Sequence, residues 1–329
     1  MNNSDKRIKE IAKEATVSEC FLLDFINSPI KYLLWSGFYW SHIDTQRNSQ
    51  SKLLDKWMDS ALAKYFKTHK DPLENKVSFL EFEKNHTVED IAVQHIHNKF
   101  LLRLDISKYF ETISFDMVKD KLPESLMFLI EPIYFDNNNR LRRGLHASPR
   151  IAEIVGKKID NKIKNILFHN NLTPLIKYTR YCDDLQFSCS NRGILRNVET
   201  LIRQEMENIG LAINENKTKI IPVNSNQILG LRIHNGKIIV PKKYRNKARA
   251  RVFIAKKSYH KCDRESKNGL LGAIKKIESA IGTLNYLGQH DNNEKYKEVI
   301  EDLVSKMNEL RQTYDKLTSN SNPLINTKL

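Results

Sequence analysis

Lys177-Tyr178-Thr179-Arg180-Tyr181-Cys182-Asp183-Asp184-Leu185-Gln186-Phe187-Ser188 is the stretch whose reading decides the fold. Two adjacent aspartates stand between two runs that read as strands. After them Leu185, Phe187 and Cys189 alternate with Gln186 and Ser188, the period-2 pattern of a half-buried strand. Before them come Leu175, Ile176, Tyr178 and Tyr181, apolar and aromatic residues that favour extended backbone. A hairpin of this kind carries Asp183 and Asp184 at its tip, where their carboxylates can reach a metal ion. Aspartate is also a common turn residue. The reading therefore turns on a third carboxylate and a nucleic-acid surface elsewhere in the chain.

The charge supplies the surface. Over 329 residues the net charge is +15, which points to a polyanionic partner, nucleic acid first. It is concentrated: Pro241 to Ala280 holds 13 Lys plus Arg against 3 Asp plus Glu, a net +10. Hydrophobic residues at 40% suffice for a folded core, arranged as one large domain or two to three subdomains. The four cysteines, Cys20, Cys182, Cys189 and Cys262, form no CxxC pair, which speaks against a zinc site or disulfide framework and fits a reducing compartment. The polar amino terminus has no signal-peptide core and no apolar run is long enough to span a membrane, so a cytoplasmic protein is expected.

Outward from the hairpin the chain reads in order. Ile8, Ile11 and Ala12, then Phe21, Leu22, Phe25 and Ile26, show helical spacing, and a further helix covers Leu53 to Phe66. Trp35, Phe38, Tyr39 and Trp40 read as core aromatics rather than base-stacking ones, and His86, His95 and His97 as structural or surface residues. Phe100 to Asp105 is a buried strand ending in an acid. The basic loop Arg140 to His146 enters a helix near Ser148-Pro149 that continues through Leu167. After the hairpin, Ile194 to Ile209 forms a helix stopped by Gly210, and Leu211 to Asn214 starts a strand. Strand, helix, hairpin, helix, strand is a split βαβ pattern: a small antiparallel sheet with helices on one face. Asn235-Gly236 marks another hairpin turn, and the rest is helical, with a polar tail read as disordered.

Asp105 and the Asp183-Asp184 tip converge on one edge of this sheet. Three carboxylates there make a hard-oxygen site suited to two Mg²⁺ ions, with Mn²⁺ as a substitute. Sheet, site and basic helices together describe a nucleic-acid polymerase palm, and the fold class expected is α+β.

The motifs resemble those of bacterial reverse transcriptases. Leu104 to Ile113 looks like motif A, Arg142 to Ile154 like motif B, Tyr181 to Asp184 like the YxDD motif C, and Gly210 to Ile220 like motif D. Ile228 to Ile233 resembles the primer grip, and Gly282 to Gln289 a thumb helix. The resemblance implies a right-hand polymerase, with residues 1–98 as N-terminal helical region and fingers, 99–222 as palm with a fingers insertion at about 118–142, and 223–329 as primer-grip hairpin and basic helical thumb. It implies that Asp105, Asp183 and Asp184 ligate the metals or support them. It implies that Phe110 is the steric gate favouring dNTP over rNTP substrates, and that Lys217 is a proton donor or phosphate contact. Tyr109, Arg143, Gly144 and Ser148 are expected around the nucleotide, and Tyr181 and Cys182 near the primer terminus. Lys242, Lys243, Arg245, Lys247, Arg249 and Arg251 are expected to hold phosphates.

Three departures shape the finer reading. Arg143 stands where motif B usually has Gln. No basic fingers pattern precedes motif A, although Lys76, Lys84 and Lys99 are available. No RNase H, integrase, endonuclease or maturase extension is recognisable. The retron NAxxH and VTG motifs are unclear, and YCDD replaces the retrons' usual YADD, which favours the defence-associated or abortive-infection group. The expected activity is RNA-directed DNA synthesis on a dedicated structured non-coding RNA in antiphage defence, with an effector protein or homo-oligomer as partner and no membrane. Alternatives are a divergent retron enzyme making RNA-linked single-stranded DNA, a template-independent terminal transferase, and a catalytically silent nucleic-acid scaffold.

Overall fold

The computed structural model describes residues 3–36, 39–42, 49–69, 88–224, 226–290 and 294–319. Phe38, Lys76, Lys84 and His86, together with residues 320–329 of the tail, lie outside them. The chain divides into two compact units, Met1–Val223 and Asn224–Leu329.

The first unit is built around an antiparallel sheet of four strands. In chain order β3 is Phe100–Asp105, β4 Lys177–Tyr181, β5 Asp184–Cys189 and β6 Lys219–Pro222; in space they run β4-β5-β3-β6. The helices that cover it are α7, Ser148–His169, and α8, Arg192–Asn208. Leu102 and Leu104 of β3 meet Phe187 and Leu185 of β5 in register, and all four are essentially inaccessible. Burying each contributes roughly 1.5–3 kcal/mol. Ile151, Val155, Ile159 and Ile163 give α7 its apolar stripe, and Leu195, Val198, Ile202 and Met206 do the same for α8. Asn191 caps α8, its side chain accepting from the backbone N–H of Gly193 and Ile194.

Ahead of the sheet lie α1 (Asn3–Glu14), α2 (Glu19–Asn27), a short hairpin of β1 (Leu33–Trp35) and β2 (Trp40–His42), α3 (Ser49–Thr68) and α4 (Val88–Val93). Between β3 and α7 come α5 (Tyr109–Thr112) and α6 (Met127–Tyr134). The helical readings of residues 3–27 and 53–66 hold. The aromatic segment packs only in part as expected: Trp40 lies partly buried against the core, whereas Trp35 and Tyr39 are 44% and 49% exposed on a hairpin whose strands pair over only three residues. Leu211 to Asn214 is not a strand either. Ile213 makes one bridge to Ile106, and the paired strand begins at Lys219, because the loop is tied by its own turn of Lys217 and Thr218 amides onto the Asn214 carbonyl.

The second unit has a three-stranded sheet, β7 (Gln227–Ile228), β8 (Leu231–His234) and β9 (Lys237–Ile239), then α9 (Lys242–Lys261), α10 (Lys267–His290) and α11 (Glu294–Ser319). Asn235 and Gly236 both take positive φ, 50° and 69°, as a primed hairpin turn requires. Leu270, Ile277, Leu284, Leu303 and Leu310 are buried among the three helices.

Candidate active site

Pairing places the acids. Asp105, last in β3, is the cross-strand partner of Asp184, first in β5, so both side chains leave the same face. Asp183 sits in the two-residue turn between β4 and β5, and its carbonyl accepts from the Ile106 amide at 3.0 Å. Cys182, the first turn residue, has φ +54°, a left-handed conformation uncommon outside glycine, asparagine and aspartate.

Lys217 completes the group. Its Nζ donates to Asp105 Oδ1 at 2.8 Å, and Asn214 Nδ2 donates to Oδ2 at 3.3 Å. Asn214 was not singled out in the sequence, although its place three residues before Lys217 in motif D is the signal for it. Burial pushes the Asp184 carboxyl up to about 6, helped by repulsion from Asp183, while Arg103 and Lys217 oppose the rise. Burial also raises Asp183; repulsion from Asp105 adds to this, and Arg143 and Lys217 act against it. Contact with Asp105 raises Lys217.

The donor set fits divalent cations of the hard-oxygen kind. Among the described residues no three acid, histidine or cysteine side chains stand close enough to enclose an ion as they are. Asp105 is instead neutralised by Lys217, and the two raised carboxyls mark a place short of positive charge. A divalent cation bound here would be held by these carboxylates and would offset their repulsion.

Around this centre the expected residues divide. Phe110 is buried beside the site, with the Arg143 guanidinium 5.9 Å from its ring centroid. Gly144 has φ +110°, and a Cβ there would meet the Trp40 carbonyl at 2.3 Å, so no other residue fits. The adjoining Trp40 amide donates to the Arg143 carbonyl at 2.7 Å. Two residues named for the nucleotide are turned elsewhere. Tyr109 is buried, its hydroxyl donating to the Ala152 carbonyl at 2.8 Å. Ser148 is fully buried and donates to the Arg142 carbonyl, closing the loop before α7. Both hydroxyls hold α7 rather than face a ligand.

Asp55, from α3, anchors the same loop. It accepts from the backbone N–H of His146 and Ala147, at 2.7 and 3.3 Å, and from the Tyr134 hydroxyl at 2.7 Å, and it pairs with His42 Nε2 at 2.9 Å. Its helical setting gave no hint of this in the sequence. His95 is structural, its ring bridging Ser188 and Thr179, with burial lowering its pKa to about 4.

On the basic helix α9, Lys242, Lys243, Lys247 and Arg249 are exposed. Arg245 is half-buried, and Arg251 differs from the expectation: its guanidinium binds Thr283 of α10 at 2.5 Å. At helical spacing its position faces the neighbouring helix.

A hairpin tip carrying two aspartates, with a third across the strand pair and Lys217 and Arg143 beside them, is the site of a nucleotidyl-transferring polymerase. The reverse transcriptase (RNA-dependent DNA polymerase) family matches residues 45–233, more than half of the chain, and the chain belongs to that family. It is thus an α+β, divalent-metal-dependent polymerase that copies an RNA template into DNA. Curated relatives include retron enzymes of Escherichia coli. The Retron Ec73 reverse transcriptase of Escherichia coli is 26% identical over 254 residues, 70% of this chain and 77% of that protein. The Retron Ec86 reverse transcriptase of the same organism is 25% identical over 221 residues, 64% of this chain and 65% of that protein. Among solved structures, telomerase from Candida albicans with a telomeric RNA fragment aligns over 84% of this chain and 54% of its own, at 10% identity and a TM-score of 0.42, too loose a likeness to argue from. No helix among the described residues is long and apolar enough to cross a membrane.

Proposed function

We propose that the enzyme copies one dedicated, structured non-coding RNA into DNA as part of antiphage defence, using Mg²⁺ or, in its place, Mn²⁺. Residues 99–222 act as palm, 1–98 and 118–142 as fingers, and 223–329 as primer grip and thumb. The observation that carries the chemistry is the cross-strand pairing of Asp105 with Asp184, beside Asp183 in the turn.

In this reading Asp105 and Asp183 hold the ions, and Asp184 supports them. The ions supply activation of the primer hydroxyl and neutralise the leaving pyrophosphate. Phe110 closes the space a ribose 2′-hydroxyl would need. Arg143 and Gly144 line the incoming nucleotide from the loop that leads into α7, and Tyr181 and Cys182 face the primer end. Lys217, freed from Asp105, contacts the phosphates or delivers a proton to the leaving group.

Template choice is the finer part. Phosphate contacts from α9 carry no sequence information. RNA shape and unpaired bases stacked on aromatics such as Tyr244, Tyr259 or Tyr286 would supply it. The defence role rests on YCDD and on the absence of clear NAxxH and VTG motifs. A second reading, a retron enzyme making RNA-linked single-stranded DNA, is favoured by the retron relatives. The test is to purify Asp183→Asn protein from its host and sequence the RNA bound to it. One dominant short species supports a dedicated template, and a spread matching total cellular RNA refutes it. Wild-type protein carrying covalent RNA–DNA selects the retron reading. The same variant should show no Mg²⁺-dependent DNA synthesis; retained synthesis removes Asp183 from the site.

A further inference from the structure

Beneath the catalytic turn lies a charged cluster that the mechanism above does not use. Arg180 of β4, one strand position before Tyr181, is completely buried. It points onto α7, where Glu153, Gly156 and Asp160 share one face at i, i+3 and i+7. The guanidinium spends all five of its N–H donors. Nε and Nη2 donate to Asp160 at 2.9 Å each, and Nη2 and Nη1 to Glu153 at 2.6 and 3.0 Å. The fifth, from Nη1, leaves the helix and reaches the carbonyl of Cys182 at 3.1 Å. Tyr178 adds its hydroxyl to Asp160 at 2.6 Å.

Three features are poorly explained by stability alone. A buried ion cluster contributes little net stability over well-packed apolar residues. Glycine inside a helix costs about 1 kcal/mol against alanine, yet here a Cβ on Gly156 would lie 2.6 Å from Arg180 Cζ. A non-glycine residue at positive φ persists only where its surroundings hold it, and Cys182 is held by this guanidinium.

We propose that Arg180, cradled by Glu153 and Asp160 across Gly156, is a positioning residue that fixes the Cys182–Asp183 turn to α7 and so registers the catalytic carboxylates against the nucleotide. The inference rests on the proposed roles of Asp183 and of the start of α7. Arginine is required because lysine, with three donors and no planar fork, cannot make the four bonds to the carboxylates and the fifth to the turn. The helix that carries Gly144 at its approach then also sets the height of the aspartates.

The experiment compares wild type with Arg180→Lys, with Gly156→Ala, and with the combined Glu153→Gln, Asp160→Asn, Arg180→Met, which removes the three charges of the cluster together. Single-turnover and steady-state dNTP addition is measured on one template–primer, per active site titrated, alongside template–primer Kd and melting temperature. The combined variant is expected to melt and bind template–primer close to wild type, with kcat per active site lower by about 10–100-fold and KM for dNTP little changed, the size typical of lost support behind a metal-binding residue. Arg180→Lys and Gly156→Ala should fall between. Wild-type kcat per active site in the titrated fraction of any of the three, however little of it folds, would overturn the proposal. So would a loss that tracks Kd and melting temperature. Asp183→Asn runs as the control: if it still polymerises, the site reading itself has failed; if it is dead while the three variants are unimpaired, only the positioning role has.

Discussion

Lys217 Nζ lies 2.8 Å from Asp105 Oδ1, so the lysine of motif D is the counter-ion of the aspartate of motif A. The side chain is 63% exposed and Asp105 only 11%, which makes the lysine the mobile partner. In the proposed function a divalent cation would take its place on Asp105. Lys217→Met should therefore lower the rate of nucleotide addition by about 10²-fold, through loss of the proton or phosphate contact. The Mg²⁺ concentration for half-maximal rate should not rise, because a competing cation is gone. A variant that needs more Mg²⁺ would mean that Lys217 organises the ion site instead of competing for it.

The raised carboxyl of Asp184 gives a stability prediction with a definite sign. Its folded pKa, about 6, lies above the ordinary value of 3.8, so between those pH values the folded protein binds more protons than the unfolded one. Metal-free protein must then lose stability as pH rises from about 4 to 6 on this account. Asp184→Asn removes the cost. In EDTA at pH 7.5 it should melt higher than wild type, and near pH 3.5 the gap should close. Added Mg²⁺ should stabilise wild type more than the variant. Equal melting curves at pH 7.5 would show that Asp184 carries no such penalty.

These acids were legible because strand ends and a turn carry them, and short-range patterns reveal both. The period-2 run after Asp184 marked β5 correctly, but not its burial. Gln186 and Ser188, read as the solvent side, are as inaccessible as Leu185 and Phe187. His95 and Asn98, some ninety residues away, bond Ser188 and cover it. Pairings of that separation leave no trace in a single sequence. Arg180 was hidden for a related reason: a charged residue in a strand reads as exposed until its two acids, on another element, are found. The loop from Leu211 misled because its apolar start resembles a strand, whereas turn hydrogen bonds onto Asn214 decide its path.

Phe110 tests sugar selection. The ring is 9% exposed and meets Tyr109 edge-on at 5.8 Å, so it is held in place on that side, and in the proposed function its outer edge limits the site. Phe110→Ala removes the obstacle to a 2′-hydroxyl and should narrow the preference for dNTP over rNTP by at least about tenfold. Truncation of a buried Phe costs roughly 3–5 kcal/mol, so Phe110→Val is the companion variant that keeps more of the packing. Competing incorporation on one template measures the ratio. Unchanged discrimination in both variants would place the gate elsewhere.

Basic residues of one helix that composition alone treats as equal divide in the structure. On α9, Lys242, Lys247 and Arg249 are exposed, whereas Arg251 is bound to Thr283. Counter-ion release makes log Kd vary linearly with log[salt], with a slope that counts neutralised phosphates at about 0.7–0.9 each. Replacing Lys242, Lys247 and Arg249 together by Gln should flatten the slope for an RNA–DNA template–primer by about two to three units. Arg251→Gln should leave the slope as it is and lower the melting temperature, because its donor serves the contact between α9 and α10. The readout is equilibrium binding across 50 to 300 mM salt, which separates charge contacts from misfolding: a destabilised variant shifts the whole line, and only a lost phosphate contact changes its gradient. An unchanged gradient in the triple variant would take α9 out of the nucleic-acid surface, and a flattened one in Arg251→Gln would return that residue to it.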